Sequence, residues 1–190
     1  MHRPRDGGSA PRRPSGGLNP PRMDILKAYW RMEYVTSPSD GDAGHVNPFA
    51  ELPRAGDDRK ALIIHRAEYN YLVLNKFPYN PGHLLAVPYE TVPELSDLPR
   101  PARAELMELV VFAQDLVRRA MNPDGFNVGM NLGKVSGAGI PGHLHIHIVP
   151  RWSGDTNFMP VIGRTRTLPQ ALDATWEVLR AHIRAENKDA

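Results

Sequence analysis

The chain has 190 residues, 41% of them hydrophobic and 23% charged, with a formal net charge of +2 and no cysteine. That length fits one domain with extensions better than two full domains, and it is enough to bury a real core. The lack of cysteine excludes a disulfide framework, a Cys-based zinc site and a thiol nucleophile; it is compatible with a reducing cytoplasm, the expected location.

No apolar run reaches about 18 residues and the N-terminus has no apolar segment, so neither a membrane span nor a secretory signal is expected. The basic balance is local. Residues 1–22 hold Arg3, Arg5, Arg12, Arg13 and Arg22 against Asp6, a net +4 that leaves −2 for the rest. Charge confined to a tail is weak support for nucleic-acid binding, and no specific nucleic-acid partner is expected.

In chain order, residues 1–22 are rich in Pro, Gly and Arg without apolar periodicity and read as a disordered basic tail. Met23 follows directly and is an alternative start. Residues 23–60 read as an N-terminal extension, with a short helical pattern over Asp24–Arg31 and a loop or linker over 36–48. The main domain spans 61–190. Ala61–Ile64 and Tyr71–Asn75 form a hairpin, and His83–Pro88 is a third strand entered through the turn at Pro78, Asn80, Pro81 and Gly82.

Leu106, Leu109, Val110, Ala113, Leu116, Val117 and Ala120 recur at helical spacing, giving a long helix over 101–120 that Asn122–Gly125 stops. Phe126–Leu132 and His143–Val149 read as further strands around a glycine-rich loop. A last helix runs from about Pro169 to Ala185. Strands, a long helix, strands and a helix, with short links between consecutive strands, define an α+β fold. Its sheet has about five antiparallel strands, and unalternating runs such as Leu84–Val87 put cover on both faces.

The chemistry lies in His143-Leu144-His145-Ile146-His147-Ile148-Val149. Strand alternation puts the three imidazoles on one face, and Leu144, Ile146 and Ile148 on the core face. Three imidazoles in a row are poor core material, because each carries polar nitrogens that need partners. One reading is a metal site, with His65 or His83 as distant partners, although neither Cys nor HExxH accompanies it. The other is covalent catalysis at phosphorus: imidazole is a good nucleophile at neutral pH, and a phosphoramidate passes its group on readily. The loop Asn131–Gly142 directly precedes the histidines, and its glycines let backbone N–H groups approach a phosphate. It is not a Walker loop.

The run His143–Val149 resembles the HφHφHφφ signature (φ apolar) of the histidine triad, or HIT, superfamily. So do Leu74-Asn75-Lys76, Pro81–Pro88 and Phe126–Gly133. Pro150-Arg151-Trp152 with Gly154–Phe158 resembles the bacterial diadenosine-polyphosphate hydrolase and phosphorylase branch.

The resemblance implies a HIT-like fold and a catalytic domain. It implies His145 as nucleophile, forming a nucleotidyl-histidine intermediate, with His143 and His147 in support. It further implies nucleotide contacts from Asn75, His83, Asn131 and the loop Gly137, Ala138 and Gly139, and a base held near Leu62, Ile64 and Phe77. Many members carry Ser or Gln in that loop; here backbone N–H groups, Ser136 or Lys134 take its place.

The expected reaction is cleavage of a dinucleoside polyphosphate such as diadenosine tetraphosphate, with water as acceptor. The alternatives are a phosphorylase using inorganic phosphate and a non-catalytic nucleotide-binding protein. No resident metal or cofactor is expected for the covalent step, with Mg a possible companion of the substrate. The resemblance implies a homodimer formed through the long helix and an adjacent strand. Around the motif, Asp155 and Asn157 either close the site or make a turn, Trp152 reads as packing, and Arg164 and Arg166 as a solvated pair.

Overall fold

A computed structural model describes residues 47–155 and 171–189, with the side chains of 186–189 left aside. The basic tail, the helical pattern at 24–31, Asn157, Phe158, Arg164 and Arg166 lie outside the described residues. A short helix, α1 (Pro48–Glu51), precedes strands β1 (Ile63–Arg66), β2 (Asn70–Leu74) and β3 (Leu84–Pro88). The long helix α2 (Arg100–Met121) leads to β4 (Gly125–Met130) and β5 (Ile146–Arg151), and α3 (Leu172–Asp189) closes the described chain. The sheet is antiparallel throughout, in the order β1-β2-β3-β5-β4. This is the α+β, five-stranded arrangement expected from the sequence.

Strands β2 and β3 are buried at every position, because both faces of the sheet are covered. Leu72, Leu74, Leu84 and Ala86 face α2 and α3 in the larger core, with Ile146 and Ile148 from β5. Tyr71, Val73, Leu85 and Val87 face the other way, onto Phe49 of α1, Ala61 and Ile63. Helix α2 contributes Leu106, Leu109, Val110, Ala113, Leu116 and Val117 to the larger core, the stripe its periodicity gives. It ends at Asn122, whose left-handed backbone (φ 47°) places its N–H on the Arg118 carbonyl.

Most strand boundaries move by one to three residues, and two of the shifts have clear local reasons. The first strand begins at Ile63 rather than Ala61, because Leu62 sits at φ 59° and turns the chain. A bulge between Ile63 and His65 then interrupts the ladder. Helix α3 takes up carbonyls there: Trp176 Nε1 donates to Ile63 O and Arg180 to Ile64 O. The fifth strand begins at Ile146 rather than His143, because Leu144 N–H leaves the β3 ladder and donates to Val92 O instead. Residues 47–54, which the sequence assigns to an extension, pack on the sheet: Tyr71 hydroxyl donates to Phe49 O at 2.7 Å. No described helix is long and apolar enough to cross a membrane.

Candidate active site

The register of β5 settles which way the histidines face. His147 pairs with Leu85 on β3 and with Gly129 on β4, on the face away from α2 and α3. Leu144, Ile146 and Ile148 occupy the opposite core, so the alternation extends back through Leu144 although the ladder begins at Ile146. The three imidazoles therefore line one side. His143 and His145 are buried, and His147 is half-buried.

Each ring has a definite set of partners, from which its tautomer is assigned. His143 Nε2 lies 2.9 Å from Pro88 O, so it carries the hydrogen and donates. Its Nδ1 then accepts, and Asn47 Nδ2 donates to it at 2.8 Å. His145 Nδ1–H donates to the His143 carbonyl at 2.8 Å, leaving the lone pair on Nε2. On the far side, Tyr79 N–H donates to His83 Nδ1 at 3.0 Å. His83 Nε2–H therefore donates to His147 Nδ1, also at 3.0 Å, so His147 carries its own hydrogen on Nε2. Four imidazoles from two distant segments thus form one ordered group. Burial pushes His143 and His145 below the ordinary imidazole value of 6.5, so both rest in the neutral form.

The turn before β3 places His83. Gly82 sits at φ +73°, a backbone conformation strained for any other residue, and a Cβ there would meet Met121 Sδ at 2.7 Å and have to push that side chain aside. The Tyr79 ring covers His83 and His147, with centroids 4.8 and 5.9 Å away. Asn80 donates to Pro150 O and to Asp155 Oδ2, joining this turn to the end of β5. Asp155 also accepts from Arg151 and from Trp152 N–H. The Arg151 guanidinium beside it holds its carboxyl far below the usual carboxylate range. Asp155 is therefore a structural tie. Trp152 is anchored by donating to Asn122 O.

Asn75 lies beside His83, its amide 3.4 Å from Nδ1, while its Oδ1 accepts from Phe77 N–H. Asn131 follows β4 directly, one residue past the pair Met130↔Ile146. Gly137 (φ +83°), Ala138 and Gly139 lie in the loop before the triad. Ser136 hydroxyl donates to Gly133 O at 2.7 Å, fixing the turn there, and Lys134 is exposed.

The base-holding trio is not brought together. Ile64 is sealed in the core with α2 and α3, whereas Phe77 is 61% exposed. His65 packs against Phe112 of α2, on the helix-covered side, and does not join the triad. Among the described residues no group of three or more His, Cys, Asp or Glu is placed to hold a metal ion.

Besides Tyr79, three residues at the site escape sequence reasoning. Asn47 touches His143, and Phe49 packs its ring against His143 and His145 (centroids 5.6 and 5.0 Å). They are the N-cap and the second residue of a four-residue helix too short to show periodicity. The third is Gly129, opposite His147, where an added Cβ would meet nothing within 4 Å: the strand leaves open space beside the imidazole. A glycine in mid-strand is the signal for it.

Comparison with known proteins agrees with this geometry. The family model for the HIT domain matches residues 57–154, and the chain belongs to that family. It is 42% identical over 166 residues to an AP-4-A phosphorylase of Mycobacterium tuberculosis, covering 83% of this chain and 85% of that protein. It is 33% identical over 91 residues to a bis(5'-adenosyl)-triphosphatase of Saccharomyces cerevisiae, covering 47% and 44% of the two. Among solved structures, a zinc-bound histidine triad family protein from Mycobacterium smegmatis aligns with a TM-score of 0.59 at 22% identity, over 75% of this chain and 95% of that one. The diadenosine triphosphate hydrolase of Plasmodium falciparum aligns at 0.57 and 20%, over 84% and 97%. Those two likenesses concern the fold.

Proposed function

We propose that this protein cleaves dinucleoside polyphosphates of the diadenosine tetraphosphate type through a nucleotidyl group carried on His145. The observation that carries the reading is the bond from His145 Nδ1–H to the His143 carbonyl, which fixes a neutral imidazole with its lone pair on Nε2. Nε2 attacks the α-phosphorus, an N–P bond forms, and the P–O bond to the departing nucleotide breaks. His147, aligned by His83, supplies an N–H donor for charge that develops on oxygen. An acceptor then attacks phosphorus from solvent and the N–P bond breaks.

Asn75 and Asn131 are assigned to the bound nucleotide, and the backbone of Gly137, Ala138 and Gly139 to its phosphates. The open space at Gly129 gives the ligand room beside His147. Magnesium is assigned to the substrate's polyphosphate, since that ion prefers oxygen ligands and phosphates over imidazole nitrogens.

Inorganic phosphate is the better-supported acceptor, because the similarity to the AP-4-A phosphorylase runs through most of both chains. Water is the second reading, favoured by the shorter similarity to the triphosphatase. Incubation with diadenosine tetraphosphate, with and without phosphate, separates them. Phosphate-dependent formation of ADP marks phosphorolysis, and AMP formed in water marks hydrolysis. A second copy of the chain is proposed on α2 and the edge strand β4, where Met107, Val111 and Val128 are about half exposed. A nucleotide substrate supports a cytoplasmic location.

A further inference from the structure

Asn47 lies outside the span matched by the family model, yet it makes a 2.8 Å contact with the triad across 96 residues of chain. Its amide is held in one orientation. Oδ1 accepts from Phe49 N–H at 3.1 Å and caps the N-terminus of α1, so Nδ2 must face His143. Nδ2 also reaches Thr91 Oγ1 at 3.4 Å, and Thr91 Oγ1 lies 3.5 Å from the same histidine nitrogen.

His143 is 1% exposed, and its other nitrogen is committed as donor to Pro88 O. Protonating it would set an N–H against the Asn47 N–H₂, donor against donor, with no solvent to relieve the clash. The groups around the ring are Asn47 and Phe49 from α1, Pro88 O and Thr91 from the segment after β3, and His145 from its own segment. Of these only His145 titrates, and it disfavours a second positive charge. The His143 carbonyl is in turn the acceptor that fixes the tautomer of His145.

We propose that Asn47 is a positioning residue for the triad: it holds His143 as the neutral Nε2–H tautomer, and through the placement of that residue it keeps the His145 Nε2 lone pair ready for phosphorus. The proposal rests on His145 as the nucleophile, but it is tested separately. Two variants retain the α1 cap, since Ser and Asp are both good N-caps. Asn47→Ser is too short to reach His143 and removes the contact. Asn47→Asp reverses its polarity by offering an acceptor where Asn offers a donor.

Long-range ¹H–¹⁵N correlation spectra of the full chain read imidazole tautomers directly, with His143 assigned by comparison with His143→Gln. In the wild type His143 is neutral and Nε2-protonated at pH 7 and titrates below the ordinary imidazole value of 6.5, because it is buried. In Asn47→Asp it titrates at least about one unit higher, as a carboxylate neighbour favours the imidazolium. The acid limb of kcat/KM moves upward with it. Asn47→Ser lowers kcat roughly tenfold and Tm by a few degrees, the scale of one lost hydrogen bond to a buried group, with the fold retained. Unchanged His143 tautomer and titration in Asn47→Asp would overturn the proposal. Turnover surviving in His145→Ala would instead overturn the nucleophile assignment, whatever the spectra show.

Discussion

The two sides of the segment His143–Ile148 are built from alternating residues of one sequence, yet they answer to different physics. On one side Leu144, Ile146 and Ile148 are at most 2% exposed and pack among aliphatic residues from β2, β3, α2 and α3. On the other, each imidazole is tied by specific hydrogen bonds, to Asn47 and Pro88 O, to the His143 carbonyl, and to His83. The apolar side depends on volume and contact; the polar side depends on which nitrogen holds a hydrogen. Substitutions on the two sides should therefore fail in separable ways.

The largest effect belongs to the polar side. His145→Ala removes the nucleophile, and turnover of diadenosine tetraphosphate should fall by on the order of 10⁴-fold or more. Residual activity within tenfold of wild type would defeat the covalent route. On the apolar side, Ile148→Ala should cost about 3 kcal/mol of stability, since the residue is fully buried in the core beneath α2 and α3. Urea unfolding measures it, and the pH dependence of turnover in the folded variant should match wild type. A changed pH profile would mean that the two sides are coupled more tightly than the packing shows.

His83 tests the side-chain relay. His83→Ala should lower kcat by roughly 10²-fold, the usual worth of a positioned proton donor or acceptor. His83→Gln should recover part of the loss, because an amide N–H can replace Nε2–H opposite His147 Nδ1. Equal activity in the two variants would show that filling the space, not the hydrogen, matters.

The same division explains what was legible in the sequence. Period-two alternation exposes the apolar side and the orientation of the histidines, and the helical spacing of Leu106–Val117 exposes α2. Those signals are local, repeated and carried by residue type. The partners of the histidines are not local. Asn47 sits 96 residues from His143, and His83 sits 64 from His147. Residue type offered His83 only as a distant partner for a metal, and family resemblance moved it to the nucleotide site; Asn47 had neither signal, since it lies before the matched span. Ile64 was misplaced near the base because an apolar run does not say which face of a bulged strand each residue takes.

The smallest effect is the dependence on pH, and its sign follows from burial. His145 must be neutral to attack, so kcat/KM rises with pH through its folded value and is level above it. Burial holds that value below 6.5, so the acid limb should lie below 6.5. The linkage to stability runs the same way. His143 and His145 bind a proton less readily folded than unfolded, so acid favours the unfolded chain. Their contribution is complete above about 6.5, the unfolded value, and falls away as pH drops from there toward the folded values. Thermal unfolding across pH 5–8 should show Tm declining below about 6.5, and His145→Gln should flatten part of that slope. A slope unchanged in that variant would place the proton uptake on other groups.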